Sequence, residues 1–231
     1  MAAALARAQA LSVKHAIDLA IFTPEFLEGR TQPAKEPIVN LKVKVAAGLN
    51  RRPPSDKFLR WLLQAHFDVE VLMAGSTICI VGRHSAAHYE EFAYKFLNGA
   101  FNRIWVEYKR KHNAASYVRN SVFYGIYEGL NTKLSDNRKE VTTSVLRKHI
   151  DEDDRREVAD LQAMEKKVEL MVIEEADERK QAVKGYHPTV RYRSMSAGPV
   201  YSGDGRAFGR EKGEKLEINR PLNHKITKEV Q

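Results

Sequence analysis

The stretch FLRWLLQAHFDVEVLMAGSTICIV, residues 58–81, decides the fold, because its hydrophobic period changes from helical to alternating within one short segment. Phe58, Leu59, Leu62 and Leu63 are spaced as one helical face, and Phe67, Val69, Val71 and Met73 then alternate as in a strand. Ala74-Gly75-Ser76 turns the chain and Thr77 to Val81 is apolar again, so a β-hairpin follows the helix. Gly82 follows the second strand, and Ser85 is placed to cap a long helix from about Ala86 to Arg110. His112-Asn113 interrupts that pattern and Ala115 to Leu130 resumes it. The expected fold class is α+β: a small antiparallel hairpin sheet packed with several helices, followed by a long charged C-terminal helix and an irregular basic tail.

Around this core, expected at 57–134, four further segments follow from composition. Residues 1–28 read as an N-terminal helix. Residues 29–56 form a basic linker in which Ile38 to Val45 alternates as an edge strand, carrying Lys42 and Lys44 outward. Residues 135–184 are rich in Glu, Lys, Arg and Ala and read as a helical extension with an apolar stripe at Val158, Leu161, Met164, Val168 and Met171. Residues 185–231 contain glycines, prolines and aromatic residues without a sustained period, a tail that orders on contact.

Composition bounds the function. The chain has 231 residues, 43% of them hydrophobic, enough for a sizeable core. Its single cysteine, Cys79, falls in an apolar strand, so no internal disulfide forms and a reducing compartment is expected. No run is long and apolar enough to span a membrane and no secretory signal is evident, so no membrane partner is expected. The net charge of +8 is segregated: Asp151 to Lys184 holds twelve acidic and seven basic residues, a net of −5, leaving +13 elsewhere. Arg30 to Arg60 alone carries eight Lys/Arg against Glu36 and Asp56. A second basic cluster, Lys109-Arg110-Lys111-His112, lies where a helix C-terminus also favours cations.

No catalytic signature is present, and no cofactor is implied. His84 and His88 stand at i and i+4 with Glu91 beyond them, the weak metal candidates of the chain, yet Ser85 occupies the place where a zincin carries glutamate. The acidic run Asp151 to Asp154 suits a solvated helix start better than an ion site. The glycines from Gly198 to Gly213 do not follow a strand as a dinucleotide fingerprint requires. Nucleic-acid binding needs cations for phosphate and exposed rings for unpaired bases. The candidate contacts are Lys42, Lys44, Arg51, Arg52, Lys109, Arg110, Lys111, Arg191 and Arg193, with Tyr192 as a stacking ring. Most aromatics of the helices, including Phe92, Phe96, Phe101, Trp105 and Tyr108, share helical spacing and are expected in the core.

Ala4-Leu5-Ala6-Arg7-Ala8-Gln9-Ala10-Leu11 with Lys14-His15-Ala16-Ile17-Asp18 resembles the end of the helical motif in a bacterial and phage family catalogued as domain of unknown function 2786. The central unit is similar to the domain that usually follows it, through Trp61-Leu62-Leu63, the hairpin, Ile80-Val81-Gly82-Arg83, the long helix, and Arg119 to Leu130 with Phe123 and Gly125. Asp204 to Gly213, with Leu216 and Ile218, resembles that family's ending. The family's preceding helix and Asn-Glu-rich turn are missing, which implies a shortened beginning. The resemblance implies a phage or prophage origin and a location in the host-cell cytoplasm or the virion. It supplies no activity and demands no histidine at His84 or His88. Three functions are carried forward: a non-enzymatic DNA- or RNA-associated protein, a structural protein docking or self-associating through residues 138–184 and 185–231, and a metal-dependent hydrolase using His84, His88 and Glu91.

Overall fold

The computed structural model describes residues 36–44, 54–151, 158–191 and 196–216, with side chains described throughout except at 141–151 and at most positions of 158–171. The N-terminal helix expected at 1–28 and the stripe from Val158 to Met171 therefore lie outside what is described. Among the described residues the elements are β1 (Ile38–Lys44), α1 (Asp56–His66), β2 (Val69–Ala74), β3 (Thr77–Arg83), α2 (His84–His112), a 3-10 turn (Ser116–Val118), α3 (Arg119–Asp151), α4 (Val158–Tyr186) and α5 (Gly203–Lys215). The class is α+β, as the change of period implies.

The sheet is antiparallel in the order β1-β3-β2, so the run at residues 78–81 becomes its central strand. A strand covered on both faces reads as continuously apolar. Ile78 and Ile80 join the main core with Val69, Val71 and the four α1 residues Phe58, Leu59, Leu62 and Leu63. Cys79 and Val81 face the other way and meet Leu72 and Val183 of α4. The β2–β3 connection pairs Ala74 with Thr77 across Gly75 and Ser76. Of those two, Gly75 alone has a positive φ, +57°, as in a type II′ turn, where a β-carbon would be strained.

The long helix starts earlier than expected and Ser85 does not cap it. Its first residue is His84, whose N–H donates to Pro37 O at 3.1 Å, so β3 runs into α2 without a free capping position. The Glu36 carboxylate caps instead, accepting from Ser85 N–H at 3.0 Å and from the Ser85 hydroxyl at 2.7 Å. Asn113, at φ +46°, closes the helix in the left-handed region that asparagine tolerates.

The tail differs most from expectation. Residues 203–215 form a helix, not irregular chain, and its N-terminus is capped by the Ser202 side chain accepting from Gly205 N–H at 3.0 Å. Gly205, Gly209 and Gly213 share one buried face of α5, against α3. A β-carbon at Gly125, Gly129, Gly209 or Gly213 would lie under 3.0 Å from a backbone oxygen of the opposite helix. The two backbones therefore touch directly. Each glycine costs about 1 kcal/mol of helix propensity, so α5 is a helix made by its contact with α3.

Candidate nucleic-acid interface

One face of α2 carries polar residues at a four-residue spacing, Glu90, Tyr94, Asn98 and Asn102, between the apolar rows that bury the helix. Tyr94 donates its hydroxyl to Asp56 Oδ1 at 2.7 Å, Asn98 Oδ1 accepts from Ser55 Oγ at 2.8 Å, and Asn102 Oδ1 accepts from Arg119 Nη2 at 2.7 Å. Burial, then the Asp56 hydrogen bond, pushes the Tyr94 phenol far above its ordinary value. The ladder ties the starts of α1 and α3 to α2. At its upper end Arg119 lies over the Phe123 ring at 5.1 Å, and its Nε has no acceptor among the described residues. Burial lowers the Arg119 pKa, but a guanidinium stays charged.

Beside Arg119 two tyrosines are left in water. Tyr117, in the 3-10 turn, is 64% exposed and Tyr201 is 61% exposed, with ring centroids 5.7 Å apart and planes at 87°. The remaining candidate rings pack as expected: Phe101, Trp105, Tyr108 and Phe123 are buried, and Phe92 and Phe96 half-buried. Tyr201 is held by its backbone: Tyr201 N–H and Ser202 N–H donate to the buried Ser121 Oγ at 2.8 and 3.1 Å.

The cations of α2 differ from those on α5. Arg206 pairs with Glu128, Arg210 with Glu214 at 3.1 Å, Lys212 with Glu107 at 2.6 Å and Lys215 with Glu211 at 2.5 Å. Arg103, Lys109 and Arg110 are exposed and form no ion pair among the described residues. Lys111 is exposed within electrostatic reach of Glu211. Ala114 N–H donates to Lys109 O at 3.2 Å, and Tyr117 follows Ala114 by three residues, a reach of about 10 Å from that hydrogen bond.

The other expected phosphate contacts are placed elsewhere. Lys42 and Lys44 are exposed on the edge strand β1, opposite Cys79 and Thr77. Lys109 lies some 37 Å along α2 from His84 at about 1.5 Å per residue. The two clusters are therefore on the order of 15 Å apart or more and do not form one patch. Arg191 is exposed after α4, while Arg51, Arg52, Tyr192 and Arg193 lie outside the described residues. His84 and His88 are exposed with ring centroids 4.5 Å apart, but the Glu91 carboxylate accepts from Lys95 Nζ at 2.6 Å. Among the described residues no three His, Cys, Asp or Glu side chains are grouped to hold a metal ion. No helix among them is long and apolar enough to cross a membrane.

Two features lie outside the residues that the sequence pattern singles out. Tyr201 sits in a segment without period and is brought to Tyr117 by α5. Glu90 is 1% exposed, and neither carboxyl oxygen has a hydrogen-bond partner among the described residues. Burial, reinforced by nearby Asp68, raises its pKa well above the carboxylate range. The four-residue row of polar side chains on an otherwise apolar face was the available hint. No family model, no curated protein and no solved structure matches the chain.

Proposed function

We propose that this protein is a nucleic-acid-associated protein of phage type that acts by binding, with the basic end of α2 as its principal phosphate contact. The observation that carries the reading is the contrast between cations: α5 neutralises Arg206, Arg210, Lys212 and Lys215 with carboxylates, whereas Arg103, Lys109 and Arg110 are left exposed without ion pairs among the described residues. An unpaired cluster of this kind gains free energy by displacing counterions from phosphate. Lys42, Lys44 and Arg191 add positive field at a distance, which steers an anionic polymer without joining the same contact.

Fluorescence anisotropy of labelled oligonucleotides across ~50 to ~200 mM salt tests the reading. Four phosphate contacts give a slope of log affinity on log salt of about −3 for a single strand and slightly steeper for a duplex. A flat response, or no binding at low salt, contradicts it. A second reading, docking to a protein or to another copy through α4, is favoured by Leu170 and Ile173, which are large, apolar and about half exposed on that helix. A concentration-dependent mass above 26.3 kDa that Leu170→Ser and Ile173→Ser abolish supports it.

A further inference from the structure

We propose that Tyr117 and Tyr201 form a base-stacking platform, so that the ligand of the α2 end is a single strand whose unpaired bases lie on these rings while its phosphates meet Arg103, Lys109, Arg110 and Arg119. This rests on the nucleic-acid reading above and goes beyond it in naming the strand state and the residues that select it.

Three observations carry the inference. Buried aromatic side chains dominate core energetics at 150–250 Å² each, yet this chain leaves two tyrosines mostly in water while burying the neighbouring Tyr108, Phe123 and Trp105. Val200, next to Tyr201, is exposed as well, so three of the seven large exposed apolar side chains among the described residues lie in the 3-10 turn or just before α5. The platform is also fixed in advance. Tyr201 is pinned by two backbone donors to buried Ser121, and the next residue, Ser202, caps α5. The perpendicular arrangement at 5.7 Å means the rings do not stack on one another face to face.

Charge then selects the occupant. The exposed cations of α2 call for an anionic partner, and a nucleic-acid strand supplies negative charge and a flat π-face in every residue. An acidic protein surface supplies the first without the second. In a duplex the base faces are already stacked, so the rings discriminate in favour of the single strand. Stacking of this kind is tolerant of sequence, because every base has a π-face.

The test compares labelled oligothymidine, oligouridine and a mixed-sequence duplex in anisotropy titrations of the full chain at ~50 mM salt. Tyr117→Ala and Tyr201→Ala should each weaken single-strand binding about tenfold while leaving duplex affinity within about twofold. The Tyr→Phe variants should retain binding, because they keep the ring. Both positions are exposed, so an unchanged thermal midpoint shows that the alanine variants fold. If single-strand binding is salt-dependent but indifferent to both alanines, or if strand and duplex weaken equally, the platform is overturned and the nucleic-acid reading stands. If the wild-type protein binds none of the three, both fall together.

Discussion

Two helices, α4 and α5, are laid onto different clusters of the domain, and opposite chemistry holds them. On α5 the contact is backbone against backbone: Gly205, Gly209 and Gly213 interlock with Gly125 and Gly129 of α3 and leave no room for a β-carbon at four of these five positions. On α4 it is a small apolar spot ringed by charge. Val183 is buried with Leu72, Cys79 and Val81, while Arg83 pairs with Glu178 and with Glu175 at 3.4 Å. Arg179 lies 4.0 Å from Asp68 and 3.7 Å from Glu175. Interlocked backbones have one register and cannot relax by changing rotamers. Charged side chains at a partly exposed dock can shift, exchange partners and respond to salt. The rigid seam leads directly from Tyr201, so the candidate interface is preorganised by it, whereas the adjustable dock lies against the opposite face of the sheet.

The sharpest way to break this comparison is to add one methyl group to the seam. Gly125→Ala or Gly209→Ala should destabilise the fold by about 3 kcal/mol, overpacking outweighing the gain in helix propensity, and should weaken single-strand binding by displacing Tyr201. Denaturant unfolding of both variants checks this; unchanged midpoints would mean that the helices are not in backbone contact.

A smaller loss is expected at the dock. Val183→Ala should cost about 2 kcal/mol and speed amide exchange selectively in α4, with α3 and α5 unaffected. Exchange rising uniformly over the chain would show that α4 is part of the same cooperative unit as the seam.

Glu90, beside the Asp68 that Arg179 approaches, adds a pH dependence on the dock side. Its folded-state pKa is raised, so the folded protein keeps a proton that the unfolded chain releases above the ordinary glutamate range. Between those two values stability falls as pH rises, by up to about 1.4 kcal/mol per pH unit, and below both values the effect vanishes. Glu90→Gln removes the ionisable group. It should match the wild type near pH 4 and be more stable near pH 8, and stability curves that run parallel across this range would contradict the assignment.

The smallest effect separates the helices by one substitution. At Gly185, in the last turn of α4, a β-carbon meets nothing within 4 Å. Gly185→Ala should therefore stabilise by less than about 1 kcal/mol, the opposite sign to the same change at Gly125. A loss there would show that α4 is packed more closely than its geometry indicates.

What could be read from the sequence follows the range of the forces involved. The helix at Phe58–Leu63, the hairpin around Gly75 and the edge strand at Lys42 and Lys44 depend on neighbours a few residues away, and their periodicity records them. Burial of Cys79 follows in the same way from its place in an apolar strand. The ends of α2 were approached within two residues, but its cap comes from Glu36, 49 residues before Ser85, where no local pattern reports it. Helix α5 was missed because glycine in isolation argues against a helix, and only the facing glycines of α3, some 80 residues earlier, turn that cost into a contact. Of the candidate site, Lys109, Arg110 and Lys111 were legible as charge and Tyr117 as one ring among many. Tyr201 was not, since its position depends on the seam.

The central claim is that the end of α2 is the phosphate contact and the β1 edge is not. The salt slope of single-strand binding for Lys109→Gln/Arg110→Gln/Lys111→Gln, set against Lys42→Gln/Lys44→Gln, tests it most directly. The account predicts that the first variant loses about 1.4 units of slope, near 0.7 for each of the two contacts Lys109 and Arg110, while the second keeps the wild-type slope. Equal losses, or a loss confined to the β1 variant, would contradict it.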